Sequence, residues 1–366
     1  MKNKYLSTLL LSALLVGPVF GNNLPNFING TPDIKTINAL AFSPDGILFI
    51  GDSQSAKVFA IITNDSKAGD KVENISVTGV DNKIAQLLGM STEDFTITDM
   101  AVNPISKNLF FSIQHNSGKS TVLKYADGKF STVSLENINY SSASLINAIG
   151  EDAKDRRGRS QRRWAISDMS FYDGKVLVTG LSNEEFGSTF RSIPFPFMDE
   201  QAHSSLEIYH AAHGRYETNS PIKTFTATTI NNEPYLIASY TCTPLVLFSL
   251  KDLKAGAHVK GRTVAELGSN NTPYDMIIME KGGEKYLLIA NSSRALMKVK
   301  IADIEAFKSS LTTPVEETSV TAGVYFVALP FVNVLQLDAL DDSRFIMLQR
   351  KSNGSLDVVT QTERWL

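Results

Sequence analysis

The sequence predicts an all-β, six-bladed β-propeller, and three observations predict it. A strand–turn–strand–turn–strand unit recurs six times, its second strands fall at a near-constant interval, and its turns repeat the same chemistry at the same phase. Aligned on Leu48, Phe110, Leu177, Leu236, Leu287 and Ile346, the second strands lie 62, 67, 59, 51 and 59 residues apart. A unit of that size holds three or four short strands that cannot bury their own faces, and stacking units around an axis buries them. Seven blades is the alternative count.

Blade one starts near residue 36. Residues 37–42 read as an inner strand, Ser43-Pro44-Asp45-Gly46 as a tight turn, and residues 47–50 as a fully apolar second strand. Gly51 to Ser55 then turns the chain into a third strand at 57–61. The same grammar returns near 97 (TDMAV, LFFSI, TVLKYA), 166 (SDMSF, KVLVTGL), 223 (TFTATTI, YLIASY, LVLFSL), 273 (YDMIIM, KYLLIA, LMKVKI) and 333 (VLQLDAL, RFIMLQR, LDVVTQ). These units form a single domain over residues 22–366. A fourth, outer strand follows in most units, as at 129–135 in blade two. Blade six lacks one, so the lead around 27–34 is expected to complete it, and deleting residues 22–35 to unfold the ring.

Three stretches break the pattern. The connection into blade two (67–95) contains a helical pattern, DNKIAQLLGM. The connection into blade three (137–164) holds a helix-like SASLINAIGEDA and a basic run with Arg156, Arg157, Arg159, Arg162 and Arg163. Blade three itself expands its second-to-third turn into NEEFGSTFRSIPFPFMDEQAHSS. Long loops in compact domains tend to carry function. All three belong to one rim, where blade-to-blade connections meet the second-to-third turns, and that rim is the expected binding face.

Residues 1–21 read as a secretory signal, with Lys2 and Lys4 before an apolar run and small residues at Val19 and Gly21. Periplasmic or secreted localisation is expected. No later run approaches the roughly 20 apolar residues of a membrane span. Net charge −3 argues against a nucleic-acid partner. Cys242 is the only cysteine, so no intramolecular disulfide forms and the core must hold the fold together.

Candidate chemistry gathers at the inner-strand starts. Asp99, Asp168 and Asp275 share a Thr/Ser/Tyr-Asp-Met frame at homologous phase, with Asn38 at that place in blade one, so they should converge near the axis. Convergent carboxylates repel unless a cation or a shared proton neutralises them, and oxygen ligands suit Ca²⁺ or another divalent cation. Capping of each blade by backbone N–H bonds is the plain alternative. Asn183 and Asn291, in the turns after second strands, could join Asp99, Asp168 and Asp275 around a metal. Asp52, His115, Glu184, Arg191, Cys242, Arg294 and Arg350 are candidate ligand-binding residues of the loop-rich rim. Cys242 with histidines drawn from other blades (His115, His203, His210, His213) is a candidate copper or zinc set, with a buried inert thiol as the alternative.

ALAFSPDGILFIGDS, and TPYDMI with YLLIANSSRALMKV, resemble the NHL-type and SMP-30/gluconolactonase-like (strictosidine-synthase-like) six-bladed propellers across residues 36–360. Lactonases of that group hold one divalent cation through a Glu, Asn and Asp set. The resemblance implies such roles for Asp168, Asp275, Asn183 and Asn291, while Asn38 stands where the blade-one glutamate is expected. The expectation is therefore an exported binding propeller recognising a small-molecule ligand or a periplasmic protein partner. A metal-dependent lactonase or esterase with Asp168 or Asp275 as catalytic base is the alternative, and a Cys/His copper protein the second.

Overall fold

The computed structural model describes residues 24–68, 74–317 and 320–366; residues 1–21, expected to be a secretory signal, lie outside the described residues. Six small antiparallel sheets surround an axis. Their inner strands are Ala39–Phe42, Phe95–Val102, Asp168–Tyr172, Thr224–Ile230, Pro273–Lys281 and Val334–Asp341. The second strands are the most apolar, as in Ile47–Asp52, where every residue is buried. They lie between the flanking strands of their own blade and the sheets on either side, so both faces are covered. Among the described residues no helix is long and apolar enough to cross a membrane.

The blades do not follow one another around the ring in chain order. Blade one packs against blade two on one side, with Leu40, Leu48 and Phe59 against Ala101 and Phe110. On the other side it packs against blade three, with Ala41 and Phe49 against Met169 and Val178. Blade two's other neighbour is blade six, through Val102, Leu109, Leu340 and Ile346. Blades three to six are sequential neighbours. The ring therefore runs two, one, three, four, five, six and back to two.

Two connections make this order possible by leaving a strand behind as they pass. From blade one the chain travels to blade six, where Ser76–Val77 pairs with Leu356–Thr362, and only then builds blade two. From blade two it returns to blade one, where Ile138–Ser144 pairs with Lys57–Ile62, before entering blade three. The outer strand of blade six is thus Ser76–Val77 and not the lead. The lead strand Ile28–Gly30 pairs with Ile138–Ser144 at the edge of blade one. It is held there because Asp52 accepts the N–H groups of Lys35 and Thr36 at 2.7 and 3.1 Å, and blade two stands between blades one and six.

The helix expected at DNKIAQLLGM is present as α1, Val80–Leu88. Val80 and Ile84 are fully buried between blades two and six, so the helix and Ser76–Val77 form one clasp. The helix expected at SASLINAIGEDA is absent. INYSSAS forms the outer strand of blade one, with Ser141, Ala143 and Leu145 buried, which is strand periodicity. The long turn of blade three is a third strand, Ser188–Pro194, followed by the fourth, Ala202–His210. It escaped an apolar-alternation reading because Ser188, Thr189 and Arg191 are buried beside Phe190.

Candidate functional site

The inner strands enclose an axial cavity of 960 Å³. Asp99, Asp168 and Asp275 converge on it, and Asp338 of blade six joins them. The cavity runs from this tier to the hairpins joining first and second strands, where Lys107, Gly282 and Asp341–Ser343 line it. That is the rim opposite the loop-rich one. On the loop-rich side, Thr98 Oγ1 donates to Ile37 O at 2.8 Å and Gln336 Nε2 to Thr98 O at 3.3 Å, drawing neighbouring inner strands together.

Each aspartate uses one oxygen locally and one across a blade boundary. Its Oδ1 accepts the N–H of the following residue, Met100, Met169, Met276 or Ala339, at 2.7–2.8 Å. Its Oδ2 accepts an N–H of the next blade. Asp168 takes Phe225, Asp275 takes Leu337, Asp338 takes Val102 and Asp99 takes Leu40, at 2.9, 2.7, 2.6 and 2.6 Å. These bonds run in one rotational sense and pin the strands whose N–H groups would otherwise face the cavity. Blades one and four contribute no carboxylate to the tier; Phe42 of blade one lines the cavity half-buried, while the Phe225 ring is buried in the core between blades three and four.

Burial pushes all four carboxyls up: Asp168 to about 7, Asp338 to about 6, Asp99 and Asp275 well above the usual range. In Asp99 and Asp275 the repulsion of neighbouring aspartates adds to burial, and backbone N–H bonds oppose it. The wider lining is also acidic. Glu280, Asp341, Asp342 and Glu363 join the four aspartates, against Lys107 and Lys281. Such a concave surface concentrates negative potential.

The other sequence candidates lie off the cavity. Asp52 is fully buried and accepts from Gln54 and Ser55 of its own turn and from Lys35 and Thr36 of the lead, a structural role that saturates it. Asn38 Oδ1 accepts the Ser53 N–H at 2.9 Å in the same corner. Asn291 Nδ2 donates to Ile289 O, and the Asn183 N–H to Asn147 O. His115 Nε2 lies 3.1 Å from Thr121 Oγ1, and Arg350 Nη1 donates to Gly354 O. Arg294 lies against Gly268, where a Cβ would meet its guanidinium at 2.3 Å. Cys242 occupies a left-handed turn (φ 68°), and its N–H donates to Asn271 O, tying blade four to blade five.

Glu184 and Arg191 do come together, on blade three. Arg191 is fully buried, its Nε and Nη2 donate to Ile146 O and Asn147 O, and burial lowers its pKa to about 10. Glu184 accepts from Asn147 Nδ2 and lies 3.6 Å from His203 Nδ1. In the basic run, Arg159 pairs with Asp155 at 2.7 Å and Arg162 is buried against Gln54 O and Ile149 O. Arg163 stacks over Trp164, which Lys223 covers from 3.4 Å.

Among the described residues, one set of three His, Cys, Asp or Glu ligand atoms lies within 4.8 Å of one another: His210, His213 and Glu217, on the outer hairpin of blade three. No three of the axial carboxylates meet that distance, and Cys242 belongs to no such set. Asp338 was not visible as a member of the tier. Its strand partner is Ile346, whereas Asp99 and Asp168 face Ser112 and Thr179, two residues beyond Phe110 and Leu177. It falls out of phase with the repeat and reaches the cavity one side-chain layer deeper. Neither the family models nor the curated proteins searched contain a match to this chain.

Proposed function

We propose that the protein is an exported binding propeller whose ligand site is the axial cavity, and that the ligand is a small organic cation carrying an amine and an apolar portion. The observation that carries this reading is the convergence of Asp99, Asp168, Asp275 and Asp338 in one 960 Å³ space. Carboxyls held above their ordinary pKa retain protons until a positive charge replaces them. An ammonium group can replace them while reaching several carboxylates through its separate N–H donors. No three of the four carboxylates bring oxygens within 4.8 Å of one another, and each already accepts two backbone N–H groups, which favours such an extended cation over a bare metal ion. Phe42 and Phe171, both half-buried in the lining, supply the apolar surface that such a ligand uses. The basic-then-apolar leader supports export to the periplasm or beyond.

Calorimetric titration with spermidine and with phenethylamine, at pH 5.5 and pH 8, tests the reading. The expected result is saturable binding that tightens with pH and releases protons, lost in Asp275→Asn. No binding by either amine, or binding unchanged in Asp275→Asn, would sink it. A second reading, a metal-assisted lactone or ester hydrolase, draws support from Asp168, whose pKa of about 7 suits a general base. Ca²⁺-dependent turnover of aryl esters or lactones, abolished in Asp168→Asn, would favour it over simple binding.

A further inference from the structure

We propose a divalent transition-metal site, of the Zn²⁺ class, on the outer hairpin of blade three, with His210, His213 and Glu217 as ligands and Glu266 behind His210. None of these residues lines the axial cavity, so this site stands or falls independently of the ligand proposed there.

The local chain makes the cluster. His210 is the last residue of Ala202–His210, and a single tight turn follows, with His213 N–H donating to His210 O and Gly214 N–H to Ala211 O. Gly214 adopts φ 64°, which returns the chain into Arg215–Glu217. Strand alternation alone would send residues three apart to opposite faces. The turn instead stacks the two imidazoles, with centroids 3.8 Å apart. Glu217, opposite Ile208 in the hairpin, reaches both rings. Its Oε2 is 3.1 Å from His210 Nδ1 and its Oε1 2.8 Å from His213 Nδ1. Ligands on a tetrahedral Zn²⁺ stand about 3.3 Å from one another, so small shifts admit an ion between these atoms.

The second observation lies on the far side of His210. Its Nε2 is buried without a hydrogen-bond partner, and so is Oε2 of Glu266, 4.0 Å away; both residues are 1 % exposed. Glu266 is anchored by Oε1, which accepts the N–H groups of Ala211 and Ala212 at 2.7 and 3.3 Å. With the imidazole proton on Nδ1 and given to Glu217, Nε2 presents a lone pair to a carboxylate. A metal on Nδ1 reverses this by forcing the proton onto Nε2, where it donates to Glu266. That is the carboxylate–histidine–metal relay by which buried carboxylates orient histidine ligands. His213, with 39 % of its side chain exposed, gives the ion a route in and leaves a coordination position facing solvent.

Tag-free protein stripped with EDTA should bind one Zn²⁺ per chain by titration calorimetry, and Co²⁺ substituted for it should give the visible absorption of a four-coordinate site. His213→Ala, a substitution at an exposed position whose fold is checked by melting, should weaken Zn²⁺ binding at least about 100-fold. Glu266→Gln should weaken it about 10- to 100-fold and keep the Co²⁺ spectrum. Absence of saturable binding by the stripped wild type, or unchanged affinity in His213→Ala, overturns the site. Unchanged affinity in Glu266→Gln overturns the role given to Glu266.

Discussion

Replacing Asp168 by asparagine should change how stability depends on pH. The Asp168 carboxyl has a folded-state pKa raised to about 7 by burial, against an unfolded value of roughly 3.9. The folded state therefore holds a proton that the unfolded state has released throughout the window between those values. Its stabilising contribution is complete below pH ~4 and is lost as pH rises through 7. A difference of roughly three between the folded and unfolded pKa values corresponds to about 4 kcal/mol. Asp168 opens onto the cavity, and solvent there screens part of the effect, so about 2 kcal/mol is the expected loss between pH 4 and pH 8. The substituted amide cannot titrate. It keeps one acceptor for Met169 or Phe225 and turns an N–H donor toward the other, a pH-independent cost of about 1–3 kcal/mol. Urea unfolding at pH 4, 5.5, 7 and 8 reads the difference. The gap between wild type and variant should close by about 2 kcal/mol as pH rises, a midpoint change approaching 1 M for an m-value of about 2–3 kcal/mol/M. Parallel pH profiles for the two proteins would show that Asp168 titrates alike in both states and would refute the reasoning. A saturating amine should flatten the wild-type profile, since it removes the need for the proton.

The clasp that closes the ring should be its most sensitive point. Ile84→Ala, at a fully buried position between blades two and six, should cost about 2–5 kcal/mol and be read as a lowered melting midpoint. Removing residues 24–31 should leave the ring folded and lower the midpoint only slightly, because Ile28–Gly30 is an outermost strand with Ile28 58 % exposed. Gly180→Ala should destabilise by about 1–3 kcal/mol, since a Cβ there would lie 2.3 Å from Ala165 O and 2.7 Å from Trp164 O.

The repeat made six blades legible because turn chemistry and apolar second strands are local properties, and residues such as Leu48, Leu177 and Leu287 are fully or almost fully buried as their phase requires. Phase identifies the layer a residue occupies within its blade. It carries nothing about which blade stands beside which, and the transposition of blades one and two left no trace in it. The two strands that enforce the transposition were the hardest to see. Ser76–Val77 is two residues long, and INYSSAS is polar enough to pass for a loop or a helix start. The long turn of blade three hid a strand for the same reason, since Arg191 is buried with its guanidinium donating to the carbonyls of Ile146 and Asn147. The aspartate tier was legible as far as the repeat kept step, and Asp338 was lost where blade six slips by two residues.

The transposed order bears directly on the character of the cavity. Going around the ring, carboxylates come from blades two, three, five and six, while blades one and four, on either side of blade three, bring none. Asp168 is therefore flanked by apolar neighbours, whereas Asp275, Asp338 and Asp99 follow one another on adjacent blades five, six and two. In chain-sequential order Asp99 would adjoin Asp168, and the run of three would be broken. The observed arrangement divides the wall into two arcs of three blades each, one acidic throughout and one apolar but for a single carboxylate. Such a wall orients a ligand as well as attracting it: a charged end belongs on the arc of blades five, six and two, and an apolar body against Phe42 and Phe171. It follows that Asp275→Asn should abolish binding of an aromatic amine and a linear polyamine alike, whereas Phe42→Ala should weaken only the aromatic one, by about tenfold for the loss of a π contact of about 1–1.5 kcal/mol. Equal losses for both ligands in Phe42→Ala would show that the wall does not discriminate in this way.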